Sequence, residues 1–171
     1  MFGRKGKPDS LDPYRDAVST FGPSFDALLW NSPEFQQIRF EALARAVDPA
    51  ARHLADIGCG RADFLRWLLA HDIECDYLGV EGLPELARAS RDAGATTIEG
   101  DFVANHALFR RLVEAHGVTT FYFSGSLNTL PMRDAIPVLD RAFDALPDDG
   151  ALAFNFLSDR YDRPGPTDPA H

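Results

Sequence analysis

From residue 53 onward the chain alternates short apolar runs with segments of helix length, and this alternation is what most limits the fold it can adopt. HLADIG, DYLGVEG, ATTIEGD, TTFYFSG and GALAFNFL read as strands; between them ADFLRWLLAH, LPELARASRDAG, NHALFRRLVEAHG and MRDAIPVLDRAFDALP read as helices. Strands that are apolar throughout need cover on both faces, and crossover helices joining parallel strands supply it. The pattern predicts a doubly wound α/β sheet, with a kink where Pro137 interrupts the fourth of these helices.

Upstream, residues 11–47 read as helical in three pieces, LDPYRDAVSTFG, SFDALLWN and SPEFQQIRFEALARAV. The last has Ser32 placed as an N-cap, Pro33 at the first helical position, and Phe35, Ile38, Leu43 and Val47 near helical spacing, before Asp48-Pro49 ends it. The expected organisation is a flexible arm at 1–10, a helical cap at 11–49, the sheet domain at 50–157, and a Pro-rich loop or disordered tail at 158–171. That tail leaves the last strand as an apolar sheet edge with nothing after it, which calls for a partner such as a second copy of the chain or for further strands beyond the sequence.

Composition narrows the function classes. A chain of 171 residues, 45% apolar and 25% charged, suits one domain with a sizeable core. It holds no run approaching the roughly 20 apolar residues of a membrane span, and MFGRKGKPDS lacks a signal-peptide core, so a cytoplasmic location is expected and no membrane partner. Cys59 and Cys75 form neither a zinc pattern nor a disulfide framework, and His53, His71, His106 and His116 are scattered without metal spacing; no metal site is expected. The net charge of −9 argues against a broad phosphate-binding face, and so against nucleic acid.

In an open α/β sheet, ligands bind beyond the carboxyl ends of the strands. Those ends carry Asp56, Gly58 and Gly60 after the first strand, Glu81 after the second, Asp101 after the third and Ser124-Gly125 after the fourth. Glu81 lies about twenty residues past the glycine loop, where an acid can accept both hydroxyls of a ribose. Asp101 and Phe102 suit an adenine, the carboxylate accepting from the amino group and the ring packing on its face. A dinucleotide loop wants glycine at position 63, and the residue is Asp63, whose carboxylate repels a pyrophosphate and suits instead the first turn of its helix. A phosphate-free ligand with a ribose, an adenine and a positive charge fits better, and S-adenosylmethionine is such a ligand.

LADIGCGRA resembles the first motif of class I S-adenosylmethionine-dependent methyltransferases; YLGVEG is similar to their second-strand acid, TIEGDF to their adenine motif, and LPDDGALAF to the approach to their fifth strand. The resemblance covers about residues 50 to 157. It implies a mostly parallel Rossmann-like sheet in the order 3-2-1-4-5, with strands 6 and 7 of the family absent or cut off, and S-adenosyl-L-methionine as cofactor. It also implies a cofactor-binding set of Asp56, Gly58, Cys59, Gly60, Glu81, Gly82, Asp101, Phe102, Ser124 and Gly125. By resemblance the two glycines let the backbone approach the methionine part, which Asp56 orients, while Glu81 holds the ribose and Asp101 with Phe102 the adenine. Cys59 reads as a small filler whose backbone makes any ligand contact, and Ala62 replaces the family's third glycine.

The implied reaction is methyl transfer to an acceptor that the sequence does not identify, a small molecule being expected and DNA not, with protein and RNA left open. SGSLNTLP at the fourth strand end lacks the Asp/Asn-Pro-Pro-aromatic motif of DNA amino-methyltransferases and the Pro-Cys of the cytosine ones. Ser126 and Asn128 can orient an acceptor but are poor bases, so no catalytic residue is assigned. Trp30, Phe35 and Phe40 are candidates both for an acceptor pocket and for core, and Arg39 and Tyr14 for reaching the cofactor. Two other readings stay open: a non-catalytic protein that binds the cofactor or a partner, and a nicotinamide-dependent oxidoreductase.

Overall fold

The computed structural model describes residues 9–156, so the tail expected at 158–171, and all but the last two residues of the arm expected at 1–10, lie outside the described residues. Strands β1 (His53–Ile57), β2 (Asp76–Glu81), β3 (Thr97–Glu99), β4 (Thr120–Ser124) and β5 (Ala151–Asn155) form one sheet, all parallel, in the order β3-β2-β1-β4-β5. Helices α1 (Asp12–Phe21) and α2 (Pro33–Ala46) precede it, and α3 (Asp63–Ala70), α4 (Pro84–Asp92), α5 (Leu108–His116) and α6 (Met132–Ala145) make the crossovers. This is the doubly wound α/β sheet that the alternation predicts. Among the described residues no helix is long and apolar enough to cross a membrane.

Alternation along each strand divides the core in two. Ala55, Ile57, Phe121 and Phe123 point to one face, where Phe109 and Leu112 of α5 and Val138 and Ala142 of α6 cover them. Leu54 and Tyr122 point to the other, against Phe40 and Leu43 of α2 and Phe64 and Leu68 of α3. Burial on both faces holds for β1, β2 and β4 but not for the outer strands. Edge strand β3 is reduced to three residues and has none buried, and β5 buries Ala153 alone. Phe154 and Phe156 stack with ring centroids 6.1 Å apart and are exposed beside the β5 edge, which has no further strand among the described residues.

The cap departs from the sequence reading in two places. SFDALLWN is not a helix but a single 3-10 turn at Asp26–Leu28, ended by Leu29 at φ +58°, a left-handed conformation that stops further winding. In α2 the Ser32 hydroxyl accepts from the Phe35 N–H as expected, yet the buried face is Gln36, Phe40 and Leu43. Phe35 and Ile38 are turned to solvent, each 59% exposed. The aromatic cluster explains the rotation: the Phe40 ring lies 5.1 Å from Phe64, which lies 5.4 Å from Tyr122, so this face of α2 is the one with rings to pack against. The kink expected at Pro137 does not split α6, which is continuous through it.

Phe64 joins α2, α3 and β4 through that cluster and is 1% exposed. Phe64→Ala should therefore cost about 3–5 kcal/mol. Urea unfolding followed by circular dichroism checks this; a loss below about 1 kcal/mol would mean that the cap is not packed through this ring.

Candidate functional site

Because β1 pairs with β2 on one edge and β4 on the other, the chain leaves the sheet in opposite directions at the ends of β1 and β4 and a crevice opens between them. All ten residues expected to bind a cofactor line this single cleft: Asp56, Gly58, Cys59, Gly60, Glu81, Gly82, Asp101, Phe102, Ser124 and Gly125. Trp30, Phe40, Tyr14, Ser126 and Asn128 line it as well, whereas Phe35 faces solvent and Arg39 stands behind Trp30.

The loop after β1 is folded back onto β2. Gly58 and Cys59 both donate to the Val80 carbonyl, at 2.8 and 3.0 Å, with Gly58 at φ +75° and Gly60 at φ +56°. A side chain at Gly58 has no room, since its Cβ would stand 2.5 Å from Ser126 Cβ. At three other glycines the missing Cβ admits the cap: Leu28 packs on Gly60, Leu11 on Gly82 and Trp30 on Gly125, each within about 3 Å of the Cβ position. The glycines therefore serve the closure of the cleft by the cap as well as the turn itself. Ala62, where the family carries glycine, is also left-handed at φ +58° and fully buried, a strain of about 1–2 kcal/mol. Cys59 turns its Sγ away toward Gly79 and 3.6 Å from the Ser90 hydroxyl, so its side chain is packing.

The acids differ in what already holds them. Glu81, 6% exposed, accepts the Gly60 N–H on Oε2 and the Leu83 N–H on Oε1, both at 2.9 Å, tying the β1 loop to the end of β2. Burial raises its pKa, and those backbone donors hold it down. Asp56, 2% exposed, accepts the Tyr77 hydroxyl at 2.7 Å. Burial pushes it up to about 7; the Tyr77 bond opposes the shift, and the charges of Glu81 and Asp63 add to it. Asp101 accepts the Val103 and Ala104 N–H groups on Oδ1, at 2.7 and 3.0 Å, and so shapes the loop after β3. Asp63 sits in the first turn of α3, bonded to Arg66 and, at 3.4 Å, to the Gln36 amide. Phe102 meets Phe123 edge-on at 5.9 Å with one ring edge toward Gly58.

Two residues of this region, Arg141 and Asn155, escape a sequence reading. Arg141 of α6 donates to the Phe102 and Val103 carbonyls at 3.1 and 3.2 Å and thereby anchors the Asp101–Phe102 loop from below. Asn155 of β5 accepts the Gly125 N–H at 2.9 Å. Arg141 and Asn155 each act across a long sequence separation, with no local motif to mark them. Tyr14 of α1, a sequence candidate for reaching the cofactor, lines the cleft bonded to Thr129, and burial lifts its phenol to about 12 despite that bond. On the β4 side the Ser124 and Ser126 hydroxyls are buried without a partner. Among the described residues no cluster of His, Cys, Asp and Glu is arranged to hold a metal.

No family model matches the chain, and no curated protein matches its sequence. Its fold is similar to solved methyltransferase structures. An S-adenosylmethionine-dependent methyltransferase from Mesorhizobium loti matches at 22% identity and TM-score 0.52, over 67% of this chain and 51% of that one. Phosphoethanolamine N-methyltransferase 1 of Haemonchus contortus, in complex with phosphoethanolamine and S-adenosylhomocysteine, matches at 15% identity and TM-score 0.60, over 90% and 34%. The sugar N-methyltransferase KedS8 from Streptoalloteichus sp. ATCC 53650 matches at 18% identity and TM-score 0.53, over 92% and 59%. The chain spans about half the length of the first of these. The fold, with its strand order, is that of the class I S-adenosylmethionine-dependent methyltransferases.

Two outcomes test the site as described. The folded Asp56 pKa lies near 7 against 3.8 for the free side chain, so the folded protein keeps a proton that the unfolded chain has lost. The stability from this group is full below about pH 4 and is lost as pH rises to about 7; in urea titrations Asp56→Asn should remove that downward slope, and parallel profiles would refute it. Gly58→Ala should lose more than about 1 kcal/mol, through its left-handed backbone and the contact with Ser126, as read by the thermal midpoint.

Proposed function

We propose that the chain is a methyltransferase that binds S-adenosyl-L-methionine and passes its methyl group to a small-molecule acceptor. The observation that carries this reading is the charge of the cleft: Asp56, Asp63, Glu81 and Asp101 line it, and among the described residues that line it there is no Lys, Arg or His. Such a lining repels phosphates and suits a cationic ligand. It therefore disfavours the nicotinamide-dependent oxidoreductase. The resemblance of the fold to solved methyltransferases supports the same choice, one of them an enzyme holding S-adenosylhomocysteine.

The residues present fit the cofactor. The turn at Gly58 brings bare backbone to the cleft. Glu81 accepts backbone N–H groups of Gly60, Leu83 and Gly82 and keeps acceptor capacity beyond them, which suits a ribose hydroxyl. Asp101 and Phe102, fixed by Arg141, take the adenine, and Asp56 takes the cationic end. When bound, the cofactor supplies a methyl group on an already activated sulfonium. The chain's share is then alignment and the exclusion of water. Leu11, Tyr14, Leu28 and Trp30 exclude water by closing the cleft from the cap side, and the unpartnered Ser124 and Ser126 hydroxyls orient an acceptor beside them. No group on that side is a strong base, which is the feature that favours a non-catalytic binding protein as the second reading.

Calorimetry on the full chain should show S-adenosylmethionine binding, with Glu81→Lys and Gly60→Trp abolishing it. Absence of binding to the unaltered chain, or a rise in melting temperature with a pyridine nucleotide instead, would overturn the reading. Binding without methyl transfer to any of a panel of amines, thiols, hydroxyls and carboxylates would favour the non-catalytic alternative.

A further inference from the structure

We propose that Arg39 is an anion-binding subsite for the acceptor, so that the molecule methylated carries a carboxylate or phosphate group. The inference rests on the methyltransferase reading and adds the class of substrate. The cleft is electrostatically divided. Its β1–β3 side carries the acids, and its β4–β5 side carries only uncharged groups: Ser124, Ser126, Asn128, Thr129 and Trp30. Arg39 of α2 does not itself line the cleft but packs against two residues of this second side. The Arg39 guanidinium carbon lies 5.4 Å from the centre of the Trp30 ring, and Nη1 lies 3.4 Å from Asn155 Oδ1.

That setting gives the guanidinium a neutral partner and no charged one among the described residues. Asn155 Oδ1 is already engaged at 2.9 Å by the Gly125 N–H, which leaves Arg39 the longer share of one oxygen. No carboxylate pairs with it among the described residues; Arg15, Arg45, Arg66, Arg88 and Arg91 have acid partners, whereas Arg52, Arg61, Arg110, Arg111 and Arg141, like Arg39, have none among them. Arg39 is half-buried, and burial alone accounts for the lowering of its pKa. A partly desolvated guanidinium has five donors in a planar fork, which matches a carboxylate or phosphate in a bidentate pair. Trp30 stacks against its face and lines the cleft, so an anion bound there belongs to a molecule whose body lies along the indole. The buried hydroxyls of Ser124 and Ser126, without partners in the protein, supply further hydrogen bonds on the same side.

The test uses the full chain with S-adenosylhomocysteine, first alone and then at saturation. Unaltered protein and Arg39→Gln should bind S-adenosylhomocysteine alike, because Arg39 stands outside the acidic half of the cleft; failure of the unaltered protein to bind it would refute the methyltransferase reading itself. At saturation, inorganic phosphate and benzoate are titrated separately, with benzamide as the neutral control. At least one anion should bind, its Kd rising about tenfold or more in Arg39→Gln, while benzamide shows no dependence on Arg39. Whichever anion responds distinguishes a phosphate from a carboxylate acceptor. If Arg39→Gln does not fold, Arg39→Lys takes its place and should weaken the anion several-fold with S-adenosylhomocysteine binding unchanged. The proposal is overturned if neither anion binds the unaltered protein, or if both bind the substituted protein equally well.

Discussion

The pairing of β1 with a parallel strand on each side is the constraint from which the site follows. It makes β1 the centre of the sheet, sends the chain in opposite directions from the ends of β1 and β4, and leaves their carboxyl ends uncovered by any crossover helix. The loop that leaves β1 must then turn sharply over β2. Two N–H groups on the Val80 carbonyl and one on the Glu81 carboxylate hold it there. The second strand therefore shapes the loop of the first, and the acid suited to a ribose is also the acid that positions the glycine turn. A change at Glu81 acts on both at once.

A second dependence runs from the cap to the glycines. Leu28, Leu11 and Trp30 occupy the space that a Cβ would take at Gly60, Gly82 and Gly125. The strand-end loops are thus fitted to the cap, and the cap is held in turn by the ring cluster of Phe40, Phe64 and Tyr122 and by the bond from the Tyr122 hydroxyl to the Val47 carbonyl. Packing in the core of α2 and α3 therefore bears on the geometry of a cleft whose polar groups lie on other elements.

What could be read from the sequence was what periodicity and local chemistry determine. The strand–helix alternation identified the sheet, and the acids and glycines placed at strand ends were ones the fold brings to one cleft, because every parallel strand delivers its carboxyl end to the same side. What could not be read was set by tertiary partners. Phe35 and Ile38 look like a core stripe in isolation, but α2 is rotated toward Phe64 and Tyr122 instead. SFDALLWN has helical composition, yet Leu29 adopts a left-handed conformation there, and Trp30 is left packed on Gly125. Arg141 and Asn155 hold loops that lie 38 or 39 and 30 residues away along the chain, so no spacing rule reaches them.

The charge distribution gives these pieces a common logic. Buried carboxylates repel one another and lose hydration, and burial with this repulsion lifts Asp56 to about 7 although a tyrosine hydroxyl donates to it. Replacing Asp56 or Glu81 with apolar residues would remove that cost, but the Glu81 bonds to the loop would go with it and the cleft would lose its attraction for a cation. The opposite imbalance stands behind Trp30, where Arg39 is partly desolvated beside the indole with no acid against it among the described residues. Each imbalance raises the free energy of the protein, and a ligand of opposite sign would relieve it. On the proposed reading an anion at Arg39 and a cation among the acids would occupy separate places, and the field that draws the one would keep off the other.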